Sequence, residues 1–211
     1  MKNILCYGDS NTYGTRPDGK GRWDMDTRWP CVLQKMLGSG YHVIEEGCGY
    51  RTTVFEDPIE PYKNGRTYLY PCLYSHRPLD LVILMLGTND LKTRFSVSAT
   101  DIAQGAKALA DIVRNFDYRG DLRTPEILVV CPIRLGARVS DDPLTGAFSP
   151  VSYQKSLRLW EEFKKTISSE YHLMNAANYA APSETDQVHM DVKDHCSLAR
   201  GICAQVREII G

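Results

Sequence analysis

The sequence predicts an α/β protein, a three-layer α/β/α sandwich around a mainly parallel, five-stranded sheet. Three observations carry that expectation. Apolar runs of strand length recur at about 3–7, 41–45, 80–86, 126–131 and, more weakly, 171–174. Longer segments with apolar residues at helical spacing separate them, and strands alternating with helices favour parallel pairing with helices on both faces. A length of 211 residues, long for one domain and short for two, allows a substantial single core, so one domain is expected over 1–211.

The elements follow in order. Ile4-Leu5-Cys6-Tyr7 reads as the first strand, and Gly8-Asp9-Ser10-Asn11-Thr12 as the turn at its end. Val32, Leu33, Met36 and Leu37 form a helical face after Pro30. The second strand leads into Gly47-Cys48-Gly49-Tyr50-Arg51-Thr52-Thr53, and the third, Leu81-Val82-Ile83-Leu84-Met85-Leu86, into Gly87-Thr88-Asn89-Asp90. Further helical faces are Ile102, Ala106, Leu109, Ala110 and Val113, then Leu157, Trp160, Phe163 and Ile167, and finally Ile202, Val206, Ile209 and Ile210. These stripes read as core packing. Three stretches, near 13–28, 54–66 and 132–150, are rich in Gly, Pro, Asp and Arg and read as long irregular loops, which in compact domains often carry function or interfaces.

Charge and composition narrow the function. A formal net charge of −1 without a basic stripe gives no electrostatic reason to expect nucleic acid or an anionic membrane as partner. No apolar run approaches transmembrane length, and the chain enters its first strand without room for a signal peptide. The seven cysteines are odd in number, dispersed and without a CxxC pair. Reduced, mostly buried thiols in a cytoplasmic protein are therefore expected rather than a disulfide frame.

The chemistry lies at the strand ends. A serine hydroxyl is a weak nucleophile at neutral pH and needs a base within hydrogen-bond reach, itself oriented by a third group. Asp186 and His189, three residues apart before the last helix, supply that pair: the carboxylate reaches one imidazole nitrogen while the other faces Ser10. Attack on an ester builds charge on the carbonyl oxygen, and preorganised donors stabilise it. The Asn89 amide, projecting from the same sheet edge, is the side-chain candidate, with backbone N–H groups from Ser10 and from the 47–53 turn.

These blocks together resemble the SGNH, or GDSL-type, hydrolases. That family places Ser in a Gly-Asp-Ser block, Gly after the second strand, Asn in a Gly-x-Asn-Asp block and a C-terminal Asp-x-x-His. Ser10, Asn89, Asp186 and His189 match in order along the whole chain. The similarity is greatest to small bacterial arylesterases and acyltransferases, through Ile44-Glu45-Glu46-Gly47, Arg51-Thr52-Thr53, Asp57-Pro58 and Asn64-Gly65. The resemblance implies a cofactor-free serine esterase or acyl transferase for short acyl esters, a homo-oligomer with a restricted entrance. Asn11 stands where the family has Leu, and the second-block glycine falls on Tyr50, or on Gly49 after a one-residue shift. Either supplies a backbone donor.

Other readings stand beside this one. Carbohydrate deacetylation uses the same machinery, and a flavodoxin-like module would use Ser10-Asn11-Thr12 to cradle a phosphate or FMN. Asp9 and Asp90 read as turn carboxylates satisfying nearby backbone N–H groups. His195, inside the last helix, reads as a surface or core histidine. His195, Cys196 and Cys203 lack metal-ligand spacing, so no metal is expected. Tyr13, Trp23 and Trp29 are candidates to line a substrate mouth, with Trp29 equally suited to packing.

Overall fold

The computed structural model describes residues 1–120, 123–141 and 147–211. Its strands are β1 (Lys2–Gly8), β2 (Tyr41–Gly47), β3 (Leu81–Met85), β4 (Glu126–Cys131) and β5 (His172–Asn175). The helices are α1 (Ser10–Tyr13), α2 (Trp29–Leu37), α3 (Gly65–His76), α4 (Ala99–Asn115), α5 (Pro150–Thr166) and α6 (Val192–Ile210). The strands form one sheet in the order β2-β1-β3-β4-β5, every neighbouring pair parallel.

Alternation along each strand divides the core into two layers. Leu5, Tyr7, Val82, Leu84, Ile127 and Val129 face one way, onto Leu73 of α3, Ile102 and Leu109 of α4 and Phe163 of α5. Ile4, Cys6, Ile83, Leu128 and Val130 face the other way, onto Trp29 and Leu33 of α2 and Leu198, Ile202 and Val206 of α6. Because both faces are covered, β3 is buried at every position, and this explains its unbroken apolar run.

Local chemistry fixes the helix starts. Ser98 and Asp101 form a reciprocal cap on α4, and Ser149 and Ser152 do the same on α5, where Pro150 takes the first helical position. Two expectations shift in register or content. The buried stripe of α5 runs through Ser152, Ser156, Leu159 and Phe163, leaving Leu157 half-buried. Helix α3 has no counterpart among the expected helices: Pro71 lies inside it, and Tyr68, Tyr70 and Tyr74 are exposed beside the buried Leu69, Cys72 and Leu73. The remainder of 54–66 is irregular, as expected.

β1 pairs with β2 on one side and β3 on the other, with Gly8 opposite both Gly47 and Met85. The chain therefore reverses its direction across the sheet at β1, and the crevice at the carboxyl ends of β1 and β3 is where open α/β sheets place their ligands. Gly47 lets β2 end against α1: a Cβ there would lie 2.1 Å from the Tyr13 backbone nitrogen. The cysteines are free thiols, five of the seven buried. Among the described residues, no helix is long and apolar enough to cross a membrane.

Candidate active site

Ser10 opens α1 directly after β1. Asp9 caps this single turn, its Oδ1 accepting the Asn11 N–H at 2.9 Å. Burial pushes the Asp9 carboxyl up, opposed by the Asn11 N–H and by nearby His189. The Asp9 carboxylate thus serves the turn.

The loop before α6 brings the other two groups. Asp186 Oδ1 accepts the N–H of Val188 at 3.0 Å and of His189 at 2.9 Å, so the carboxylate closes its own turn. Gln187 takes the left-handed conformation, φ +65°, within that turn. Asp186 Oδ2 remains free for the imidazole and lies 2.5 Å from His189 Nδ1. His189 Nε2 lies 2.9 Å from Ser10 Oγ. With Nδ1–H donating to Asp186, Nε2 is the acceptor for the serine hydroxyl.

Asn11 holds this arrangement from the other side. Its Nδ2 donates to Val188 O at 3.2 Å and its Oδ1 accepts the Met190 N–H at 3.1 Å, so one side chain brackets His189 along the backbone. Sequence spacing gave no signal for this clamp, because its partners lie 177 and 179 residues away.

Asn89 follows β3 in a short 3₁₀ turn. One of its amide protons goes to Arg51 O at 3.1 Å. The other is left for the pocket that Asn89 shares with Ser10 and His189. Arg51 ties the strand ends together: its guanidinium lies 4.1 Å from the Tyr7 ring centroid and donates to Gly8 O at 2.9 Å and to Glu46 O. The 48–51 turn is closed by Cys48 N–H to Gly8 O at 3.0 Å and Arg51 N–H to Cys48 O at 3.2 Å. Tyr50 sits at φ +66° in it. Among the described residues, no acceptor takes the N–H of Gly49 or Tyr50. Asp90, pushed up to about 6 mainly by burial, accepts the Thr53 N–H at 3.0 Å and secures the following segment.

The pocket over these groups has a volume of about 280 Å³. Phe148 and Val188 give it apolar lining, and Glu60, Lys92 and Arg94 give it charge. Lys92 is only 4% exposed, and its Nζ lies 3.9 Å from Asp57 and 4.7 Å from the Tyr50 ring centroid. Burial foremost, with Arg94 adding to it, pushes the amine down to about 8. Tyr13, Trp23 and Trp29, expected near the mouth, do not line the pocket: Trp29 is fully buried against α6, and Arg22 and Arg16 lie over the rings of Tyr13 and Trp23. His195 is a core histidine whose Nδ1 receives the Trp29 N–H at 3.4 Å. Among the described residues His195, Cys196 and Cys203 form no ligand cluster.

The model of the GDSL-like lipase/acylhydrolase family matches residues 6–191, a span holding both the Ser10 turn and the Asp186–His189 loop. The chain belongs to that family. It is a carboxylic ester hydrolase with the family's fold. Among solved structures it is similar to an aryl esterase of M. smegmatis, 35% identical over the whole of both chains with a TM-score of 0.93. It is equally similar to a carbohydrate acetylesterase family member from Sinorhizobium meliloti, 34% identical over the whole of both chains with a TM-score of 0.92. A lipase/acylhydrolase from Enterococcus faecalis, 12% identical, covers 99% of this chain and 96% of its own with a TM-score of 0.68, and shares the fold alone. No curated protein matches the chain.

Proposed function

We propose that the chain hydrolyses short-chain acyl esters through an acyl-enzyme on Ser10, with His189 as general base and acid and Asp186 as the group that fixes the imidazole. The observation carrying this reading is the unbroken line from Ser10 Oγ to His189 Nε2 at 2.9 Å and from His189 Nδ1 to Asp186 at 2.5 Å, with Ser10 and His189 in the wall of the pocket that Asn89 also lines. Ser10 Oγ bonds to the carbonyl carbon as its proton passes to Nε2. The oxyanion receives the N–H of Ser10, the second Asn89 amide proton and the N–H of Tyr50, with Gly49 as the alternative. The intermediate then breaks its bond to the alcohol, which leaves with the proton from His189. Water, or a second alcohol, repeats the sequence in reverse and frees Ser10. No step calls for a cofactor or metal.

The same hydroxyl engaged by His189 favours this chemistry over a phosphate or FMN cradle at the turn. A carbohydrate acetyl ester is the second reading, favoured by Glu60, Lys92 and Arg94 in the pocket wall, whose donors and acceptors suit sugar hydroxyls, and by the likeness to the Sinorhizobium acetylesterase. A panel of nitrophenyl esters of increasing acyl length, run beside acetylated xylose, tests both. Turnover is expected to fall steeply beyond short acyl groups and to vanish in Ser10→Ala. Retained turnover in that variant overturns the assignment.

A further inference from the structure

Outside the active-site pocket, three unlike donor atoms meet at the junction of β2 and α3: a Glu46 carboxylate oxygen, Cys72 Sγ and a His76 ring nitrogen, all within 4.8 Å of one another. We propose that they form a site for a transition-type divalent cation of the zinc class, clamping the end of β2 to α3.

The arrangement follows from the fold. Cys72 and His76 are four residues apart on α3 and so share one helix face, while Glu46 is the penultimate residue of β2. His76 Nε2 and Glu46 Oε1 stand 2.8 Å apart. The thiol is buried beside that carboxylate, and Tyr68 O–H reaches the same oxygen at 3.4 Å from the rim. In a tetrahedral zinc site with metal bonds near 2.0–2.3 Å, ligand atoms lie about 3.3–3.6 Å apart. The three atoms thus need shifts of about an ångström or less to accept an ion, well within side-chain rotation.

The donor set selects the ion. One thiolate, one imidazole and one carboxylate match the borderline-soft zinc class and give poor sites for calcium or magnesium, which take oxygen ligands. Binding replaces the Cys72 S–H proton, which leaves to solvent, and the ion's two positive charges are balanced by the thiolate and the Glu46 carboxylate. The positive neighbour is Arg51, whose guanidinium is held between the rings of Tyr7 and Tyr68, 4.1 Å and 5.3 Å from their centroids, and is already committed to Gly8 O and Glu46 O. Three protein ligands leave a fourth position open. Glu46 and His76 side chains, 18% and 28% exposed, provide the entry path.

The test uses the full chain, stripped with chelator and titrated with zinc or cobalt chloride. One zinc per chain by calorimetry, a raised melting temperature, and a thiolate-to-cobalt charge-transfer band in the near ultraviolet are expected. Cys72→Ser should abolish the band and His76→Asn should weaken binding at least tenfold, whereas Cys196→Ser should change neither. His76 is partly exposed, so its variant decides the question if Cys72→Ser does not fold. Absence of both the band and stoichiometric zinc in the unaltered chain, a band that survives Cys72→Ser, or zinc affinity unchanged in His76→Asn overturns the site and leaves a Glu46–His76 ion pair over a packed thiol.

Discussion

Asn11 stands next to the proposed nucleophile yet works on the proposed base, since both of its hydrogen bonds go to the residues flanking His189. Asn11→Leu keeps the volume but leaves the Val188 carbonyl and the Met190 N–H buried and unpaired, at a cost of about 1–3 kcal/mol in stability. A base displaced by a few tenths of an ångström should lower kcat with KM little changed; a rise in KM at constant kcat would assign Asn11 to substrate binding instead. Asn89→Ala removes the proposed oxyanion donor, which would act mainly in the transition state, and should lower kcat about 10²–10³-fold, read by Michaelis kinetics on a short nitrophenyl ester. His195 gives a prediction on pH. Burial, with His189 and Arg28 nearby, holds it down to about 4 from an ordinary value near 6.5. Between those limits the unfolded chain takes up a proton that the folded chain refuses, so stability falls as pH drops from about 6.5 to about 4, by on the order of 3 kcal/mol. Asp90, pushed up to about 6, acts in the opposite sense over part of that range, so the comparison must be with a variant. His195→Gln should be less stable than the unaltered chain at pH 7, since it removes a buried ring packed in the core, and the gap in urea midpoint should narrow on acidification to pH 4. A constant gap would remove the assigned cause.

Strands and the residues at their ends were legible because local pattern determines them: continuous apolar runs mark β1, β3 and β4, and the turn chemistry of Gly8-Asp9-Ser10 and Asp186-Gln187-Val188-His189 is complete within four residues or fewer. Helix α3 was not, since exposed tyrosines and an internal proline break the apolar stripe that would have announced it, and packing of Leu69, Cys72 and Leu73 supplies what local preference lacks. The burial of Arg51 and Lys92 was not legible for a related reason. Each reads locally as a surface cation, and only the meeting of distant segments buries it, at 5% and 4% exposure. Close approach between elements is equally invisible in sequence. Gly47 is required by the backbone of α1, against which a new Cβ would lie 2.1 Å from Tyr13 N, with no flexible side chain to move aside. Gly47→Ala should therefore cost about 1–3 kcal/mol or more and depress activity by forcing the end of β2 away from the Ser10 turn. Gly49→Ala, with no atom within 4 Å of the added carbon, should stay folded and keep its N–H. Chemical denaturation of the two variants side by side checks the contrast, and equal stabilities would contradict it.

At the scale of the molecule, the segment 54–66 reaches the pocket wall through Glu60. Asp57 anchors it: buried, it accepts from Arg94 at 2.7 Å and from the N–H groups of Ile59 and Glu60. With that anchor in place, Glu60 lines the pocket while Ile59 and Tyr62 remain 65% and 93% exposed. Two large apolar groups held outward on a fixed loop are unfavourable for a free surface, and they motivate the proposal of a homo-oligomer whose contacts narrow the entrance to Ser10. Closing the entrance with apolar groups such as Ile59 and Tyr62 would exclude bulky acyl groups by size and lower the water content of the pocket while still admitting small, less polar alcohols, favouring transfer to alcohol over hydrolysis. Light scattering coupled to gel filtration at micromolar concentration tests the assembly, and a single species at the mass of one chain would refute it. Replacing Ile59 and Tyr62 with Asp should then dissociate the oligomer while leaving Asp57, Arg94 and the Ser10–His189–Asp186 line in place. The ratio of transfer to hydrolysis, measured with a short ester and a small alcohol in water, should shift toward hydrolysis in that variant. Dissociation with an unchanged ratio would keep the assembly and discard the narrowed entrance, placing control of water access within the single chain, at Phe148, Val188 and the ring of Tyr50.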